Sequence, residues 1–319
     1  MKKLKVAVLF GGKSAEHDVS LVSGNNVINA LDKDKYEITP IKIGRDGKFN
    51  FESVKKFDVI FPVMHGPFGE DGSMQGLLKL AGVPFVGPGV LGSAVGMDKD
   101  TMKRLLREAK IPIGKFTILH AGQKSDYNKI KKELGLPLFI KPANMGSSVG
   151  ISKANTESEF KRAVNIALKY DSKLVIEEFI SGREIECAVL GNDKPIASVL
   201  GEIIPKSDFY SYNAKYVDET TTVTNVKLPK NITKNIRDMA VKVFQVLNCE
   251  GLSRVDFFLK KNGQVLVNEI NTIPGFTNIS MYPKLWEASG VSQSKLLDKL
   301  IGLALERAQK EKKLLTTVK

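Results

Sequence analysis

Residues 253–275, SRVDFFLKKNGQVLVNEINTIPG, constrain the fold more tightly than any other stretch of the chain. Asn262-Gly263 between two β-prone arms signals a type I′ two-residue turn, because both central positions of that turn need positive φ. Such a turn sets the register outward: Lys261 faces Gln264, Asp256 faces Glu269, and Arg254 faces Asn271. Side chains alternate along a strand, so Arg254, Asp256, Glu269 and Asn271 share one face. Two carboxylates and an amide oxygen placed together repel unless a cation lies between them. Hard oxygen donors suit Mg²⁺, which shares its shell with phosphate oxygens. The plainer reading is an exposed hairpin edge carrying an Arg–Asp pair.

A chain of 319 residues exceeds one small core and suggests two or three domains. The start, MKKLKVAVLF, imitates a signal peptide, but its apolar run, Val6 to Phe10, is too short and reads as a first strand. No apolar stretch is long enough to cross a bilayer, so no membrane association is expected. Cys187 and Cys249 stand far apart without CxxC or a His cluster, so neither a disulfide nor zinc is indicated, and the cytoplasm is the expected compartment. The 48 Lys+Arg against 35 Asp+Glu give a net charge of +13, which raises nucleic-acid binding as a possibility. The lysines are scattered, as at Lys55-Lys56, Lys131-Lys132 and Lys260-Lys261, with no basic stripe interleaved with aromatics. A solvated surface that attracts anionic substrates, and no nucleic-acid partner, is the expectation.

The first hundred residues alternate strands (VAVLF, YEITPIKI, DVIFPVMHG, then VPFVGPG) with helical patterns (Val19 to Leu31, SMQGLLKLAG). This βαβ rhythm predicts a parallel sheet covered by helices, with function at the carboxyl ends of its strands. Asp98 or Asp100 caps a following helix that ends near Lys110. A compact unit comes next: a helix around Tyr127 to Leu134, the strand LPLFIKP, a Gly-Ser loop, the strand VGISKA, a helix from Glu157 to Tyr170, and the strand KLVIEEFI. From Arg183 strands dominate, broken by a helix from Ile232 to Val246 and closed by a helix from Gln293. Three lobes are expected: 1–97, 98–182 and 183–319.

Four loops carry candidate chemistry. LFGGKSAEHDVS contains Gly-Lys-Ser, yet the glycine a P-loop requires is replaced by Ala7, so the loop binds something other than phosphate, and Glu16 demands a role. FIKPANMGSSVG ends a strand at Lys141 and offers small residues and hydroxyls to an anion. In VIEEFISGREIECAVL, Glu177 and Glu184 flank a bend that suits an adenine edge and ribose hydroxyls, or simply solvent. The segment 205–225 carries Phe209, Tyr210, Tyr212 and Tyr216 with no clean period and reads as a lid.

Taken together, K-P-x-x-x-G-S-S-V-G, E-E-F-I-S-G-R-E, Y-N-A-K-Y and R-V-D-F-F…V-N-E-I-N-T-I-P-G-F resemble the D-alanine–D-alanine ligases of the ATP-grasp superfamily. F-G-G-x-S-A-E-H-D-V-S and H-G-P-F-G-E-D-G near the start do so as well, so the resemblance spans nearly the whole chain. Met145 stands where some members carry an acidic residue or Leu. The resemblance implies an α/β (α+β lobes) protein with an ATP-grasp fold: a Rossmann-like parallel-sheet domain plus two mixed lobes that clamp ATP. It implies phosphorylation of one D-alanine by ATP and attack of a second D-alanine's amine on the acyl phosphate, for peptidoglycan precursor synthesis.

Its implied roles follow by position. Asp256, Glu269 and Asn271 hold two Mg²⁺ ions, or Mn²⁺. Lys99 and Lys141 contact the α- and β-phosphates, and Lys215 the γ-phosphate. Ser147, Ser148 and Val149 cover the phosphates, while Glu177, Ile180 and Glu184 serve adenine and ribose. Glu16 receives the first D-alanine's ammonium, with His65 nearby. Arg254 and the Gly275 N–H form an oxyanion hole, and Ser280 binds the second carboxylate. Glu16, Ser147 and Tyr216 form a hydrogen-bonded chain, and either Tyr216 or a phosphate oxygen deprotonates the second amine. A homodimer is expected. The nearest rival makes D-alanyl-D-lactate or D-alanyl-D-serine; Lys215-Tyr216, and Met281 after Ser280, look like the D-Ala–D-Ala type. A non-catalytic nucleotide sensor would not need Asp256, Glu269 and Asn271 together.

Overall fold

The computed structural model describes residues 2–204 and 221–315. Strands β1 (Leu4–Gly11), β2 (Tyr36–Ile43) and β3 (Val59–Pro62) form a parallel sheet in the order β2-β1-β3. Phe85 adds a parallel bridge to Ile60. β1 reads as an unbroken apolar run because both its faces are covered. Val6, Val8 and Phe10 pack with Val27 of helix α1 (His17–Ala30), whereas Ala7 and Leu9 pack with Met74 and Leu78 of α2 (Ser73–Leu80).

A second, antiparallel sheet runs β4-β7-β5-β6, from β4 (Phe116–His120), β5 (Leu138–Pro142), β6 (Ser152–Ala154) and β7 (Lys173–Glu178). Helices α5 (Tyr127–Leu134) and α6 (Glu157–Ala167) close its core through Ile130, Leu134, Phe160 and Ala163. Each starts at a side-chain cap that satisfies an otherwise orphaned N–H: Asp126 accepts from Lys129 N and Thr156 from Glu159 N.

The third sheet is antiparallel in the order β10-β9-β8-β11-β12: β8 (Arg183–Gly191), β9 (Ile196–Ile204), β10 (Thr221–Thr224), β11 (Gly251–Leu259) and β12 (Val265–Asn271). Alternation along β8 decides what each face meets. Ile185, Cys187 and Val189 pack with α7 (Lys230–Val246) and with Met102 and Leu106 of α4 (Lys99–Glu108). Ala188 and Leu190 pack with α8 (Met281–Ala288), α9 (Gln293–Glu311) and the α1 side of the first sheet. Glu184 and Glu186 lie on that second face, nearer the start of β8, where the helices no longer cover it.

The 254–271 hairpin forms with a different turn from the expected one. Lys260 N donates to Gln264 O at 2.9 Å and Gly263 N to Lys260 O at 2.9 Å, so three residues, 261–263, make the turn, with Gly263 at φ +83°. This turn, a further use of an Asn-Gly pair, shifts the register by one residue. A bulge between Asp256 and Phe257, with Asn268 as the extra residue, shifts it back. The two slips cancel, and Asp256 faces Glu269 and Arg254 faces Asn271.

Two helices lay beyond the sequence patterns. α3 (Val90–Met97), VLGSAVGM, buries Gly92, Ser93, Val95, Gly96 and Met97 but exposes the apolar Val90 and Leu91, so its sequence shows no amphipathic period. α8 carries Pro283 in its first turn, where a missing N–H costs nothing. The strand expected at VGISKA begins only at Ser152. Among the described residues no helix is long and apolar enough to cross a membrane.

Candidate active site

A cavity of about 480 Å³ opens between the second and third sheets. Lys99, Lys141, Ser147, Ser148, Glu177, Ile180, Glu184, Arg254, Asp256 and Glu269 all line it. Its lysines are placed by helix capping and strand register. Asp98, not Asp100, caps α4 by accepting from Thr101 N at 2.9 Å. Lys99 follows immediately; its N–H donates to Ala143 O at 3.1 Å and its Nζ to Met145 O at 2.7 Å. The same Nζ stands 3.6 Å from Glu269 Oε2. Lys141 reaches Glu177 Oε2 at 2.5 Å, and Lys103, one turn along α4 from Lys99, reaches Glu177 Oε1 at 2.6 Å.

Burial alone would push the Glu177 carboxyl up, but Lys103 and Lys141 outweigh it and hold its pKa at about 2. Lys141 shows the converse: burial pulls it down, and Glu177 and Glu269 raise it above its ordinary value. A carboxylate whose folded pKa lies below its ordinary 4.5 stabilises the fold above that pH, and the contribution fades as pH falls toward 2. Glu177→Gln is therefore expected to cost about 3 kcal/mol at neutral pH, since two buried ammonium groups lose their counter-ion. That cost is expected to shrink below about pH 4. Melting curves of both proteins across pH check this; parallel loss of stability down to pH 2 would contradict it.

The floor of the cavity is the charged face of β8, β11 and β12. Arg254 Nε and Nη2 donate to Asp256 Oδ1 and Oδ2, both at 2.7 Å, and Nε lies 3.2 Å from Glu186 Oε1. Burial would lower the guanidinium's pKa, but Asp256 and Glu186 raise it well above the ordinary value. Asn271 Nδ2 donates to Asp256 Oδ2 at 2.9 Å, which orients amide and carboxylate toward each other. Among the described residues no three His, Cys, Asp or Glu side chains group as a metal centre. Two carboxylates and an amide, ringed by cations, fit a hard divalent ion that completes its shell with water and phosphate oxygens.

At the front, the 143–151 loop meets the first sheet. Ser147 and Ser148 both adopt left-handed backbone, φ +50° and +59°, and Val149 N donates back to Gly146 O at 3.1 Å. The Val149 N–H is thus spent within the loop. Ser147 Oγ donates to Glu16 Oε1, a contact across 131 residues of sequence. Glu16 sits at the N-terminus of α1 but leaves the helix uncapped, its carboxylate turned toward the loop instead. Gly66 and Gly146 bracket that carboxylate: a Cβ on either would come 2.7 Å from Glu16 Oε2. At Gly66 the backbone, at φ +74°, also favours glycine.

A second cluster joins the first sheet to the 272–280 loop. His65 Nδ1 lies 3.1 Å from Ile273 O and 3.4 Å from Glu70 Oε1, and its Nε2 lies 3.1 Å from Ser23 Oγ. Ser23 Oγ in turn accepts from Phe276 N at 3.2 Å. Burial would lower the His65 pKa, but Glu70 and Glu16 reverse the sign and raise it. Ser280 Oγ accepts from Thr277 N at 3.0 Å and packs against Gly275, where a Cβ would come within 2.7 Å. Met281 turns away from this cluster; its side chain is buried in the core against Gly201. Lys215, Tyr216 and most of the expected 205–225 lid lie outside the described residues.

Sequence reasoning passed over Lys103, Glu186, Ser23 and Glu70. Two of them were within its reach: Lys103 is the helical i+4 neighbour of Lys99, and Glu186 the strand i+2 neighbour of Glu184.

The comparisons agree with this architecture. Residues 105–302 match the family model for the D-ala D-ala ligase C-terminus, and residues 5–55 and 50–88 that for its N-terminus. A D-alanine--D-alanine ligase from Shouchella clausii is 47% identical, covering 100% of this chain and 99% of its own length. The ATP complex of the Bacillus anthracis D-alanine--D-alanine ligase superposes with a TM-score of 0.83 at 31% identity, covering 97% of this chain and 99% of that one. The VanG D-Ala:D-Ser ligase from Enterococcus faecalis gives a TM-score of 0.87 at 36% identity, covering 95% and 100%. With both family models matched in order and a full-length relative at 47% identity, the chain belongs to the D-alanine–D-alanine ligase family, with its ATP-grasp fold.

Proposed function

We propose that this chain joins two D-alanines into D-alanyl-D-alanine at the expense of ATP, through an acyl phosphate, for peptidoglycan precursor synthesis. The observation that carries the reading is the bond from Ser147 to Glu16. It sets a buried carboxylate suited to an ammonium beside the loop that walls a cavity rich in lysine and acid.

In this reading Glu177, Ile180 and Glu184 receive adenine and ribose. Lys99 and Lys141 hold the α- and β-phosphates, Ser147 and Ser148 flank them, and Lys215 serves the γ-phosphate. Asp256, Glu269 and Asn271 hold two Mg²⁺ ions, for which Mn²⁺ can substitute, and these offset phosphate charge during transfer. Glu16 orients the first D-alanine by its ammonium, so that its carboxylate oxygen bonds to the γ-phosphorus as the bond to ADP breaks. The amine of the second D-alanine, whose carboxylate rests on Ser280 near His65, then gives up a proton to Tyr216 or a phosphate oxygen and attacks the acyl carbon. Arg254 and the Gly275 N–H stabilise the oxyanion that develops, and phosphate leaves as the tetrahedral centre collapses. Val149 shapes the phosphate loop through its bond to Gly146, Met281 supports the Ser280 turn from the core, and Tyr216 extends the Glu16–Ser147 chain.

We assign three lobes, 1–97, 98–182 and 183–319, and a cytoplasmic homodimer. The two free, buried thiols, Cys187 and Cys249, suit a reducing compartment. The resemblance to a D-Ala:D-Ser ligase makes the acceptor the point to test. ADP release measured with D-alanine, D-serine, D-lactate and L-alanine, with products identified, is expected to show turnover with D-alanine alone and dipeptide equal to ADP formed. Release only when D-serine or D-lactate accompanies D-alanine would overturn the acceptor, and no release in any mixture would overturn the activity.

A further inference from the structure

Lys141 answers to two partners. Its Nζ lies 2.5 Å from Glu177 Oε2, yet the nucleotide reading also asks it to hold phosphate. A lysine fully neutralised by one carboxylate attracts a polyphosphate weakly, because the pair offers a dipole rather than a charge. The structure supplies a second cation for the same carboxylate. Lys103 is 3% exposed and reaches the other oxygen, Glu177 Oε1, at 2.6 Å. The cluster of Lys103, Lys141 and Glu177 therefore keeps one net positive charge.

Lys103 also lines the cavity, but its Nζ is directed at Glu177. It follows Lys99 by one helical turn, and the two split the cavity between them: Lys99 turns toward Met145 and Glu269, Lys103 toward Glu177. Its Nζ also lies over the Phe116 ring, 5.7 Å from the centroid, and Phe116 is the β4 residue paired with Glu177 on β7. The ammonium is thus held at the strand side of the carboxylate by a cation–π contact and an ion pair.

We propose that Lys103 is a positioning residue for nucleotide binding: it supplies the counter-charge of Glu177 and so leaves the charge of Lys141 for the nucleotide's phosphates. This rests on the nucleotide reading of the cavity. A merely structural lysine would affect ligands with and without phosphates alike, whereas this role acts through Lys141 and depends on Glu177.

The test is calorimetric binding of Mg-ADP and of adenosine to the full chain, in a cycle of Lys103→Met, Glu177→Gln and both together. Lys103→Met is expected to weaken ADP about 30-fold and adenosine less than about threefold, because removal of the counter-charge acts on the phosphates. Lys103→Arg is expected to bind ADP within about threefold of wild type, since it restores the charge. On the Glu177→Gln background the Lys103→Met change is expected to shift ADP affinity less than about threefold, the coupling that the shared carboxylate requires. Unchanged ADP binding by Lys103→Met, an equal loss for adenosine, or an equal loss on both backgrounds would each overturn the proposal. Wild-type chain that fails to bind ADP would overturn the nucleotide reading itself, and is told apart by the unmutated protein alone.

Discussion

Glu269→Gln is expected to lower phosphate release about a thousandfold while leaving the fold intact. The substitution keeps the shape of the side chain and removes one charge. That charge stands 3.6 Å from Lys99, helps to raise Lys141, and shares a face with Asp256 directly across the hairpin. At 30% exposure the Glu269 side chain is not a core group, so its loss as an anion costs the folded state little. In the proposed reaction its position matters instead for phosphoryl transfer, where charge on the transferring group must be offset at the moment it is redistributed. Steady-state phosphate release, read beside a melting curve, checks both halves. Near-normal turnover, or a collapse of Tm that accounts for the lost activity, would contradict the assignment.

Glu16→Gln is expected to raise the apparent KM for the first D-alanine about 30- to 100-fold and to move the KM for ATP by less than about threefold. The carboxylate is buried, accepts from Ser147, and lies so close to Gly66 and Gly146 that a Cβ on either would come 2.7 Å from its Oε2. An amide fills the same space but gives up the charge-assisted bond to an ammonium, roughly 2 to 3 kcal/mol. Because the amide can still accept from Ser147, the loop stays placed and kcat at saturating D-alanine is expected to fall far less than kcat/KM. A change confined to the KM for ATP would assign the Gly-Gly loop to the nucleotide.

Much of the fold was legible because local signals and burial agree. The run VAVLF is apolar at every position since α1 and α2 cover both faces of β1, and βαβ spacing then predicts the parallel sheet. Where a helix exposes apolar residues in place of polar ones, the signal disappears, as in α3, whose VLGSAVGM leaves Val90 and Leu91 exposed and carries Ser93, its one polar side chain, on the buried side. The hairpin shows a subtler limit. Asn262-Gly263 marked the turn, but its residue count and the bulge at Asn268 depend on tertiary packing, and the facing of Asp256 and Glu269 emerged from two shifts that offset one another.

The site was legible to the extent that its residues lie close in sequence. Arg254, Asp256, Glu269 and Asn271 sit on one hairpin and follow from strand alternation. The Ser147–Glu16 bond joins the 143–151 loop to the start of α1 across 131 residues, and no local pattern encodes it; the resemblance, not spacing, linked those residues. Lys103 and Glu186 were open to periodicity once Lys99 and Glu184 had been singled out. They carry no motif, and their meaning comes only from the partners the fold gives them, Glu177 and Arg254.

The most direct test follows the oxygen atoms of D-alanine. If the cavity directs ATP's γ-phosphoryl group onto the first D-alanine's carboxylate, one carboxylate oxygen becomes the bridge of the acyl phosphate and departs with phosphate when the amine attacks. Turnover of D-alanine labelled with ¹⁸O in its carboxylate, with mass analysis of the released phosphate, is predicted to give one ¹⁸O per phosphate for each dipeptide formed. Phosphate free of ¹⁸O at full dipeptide yield would contradict the account at its centre.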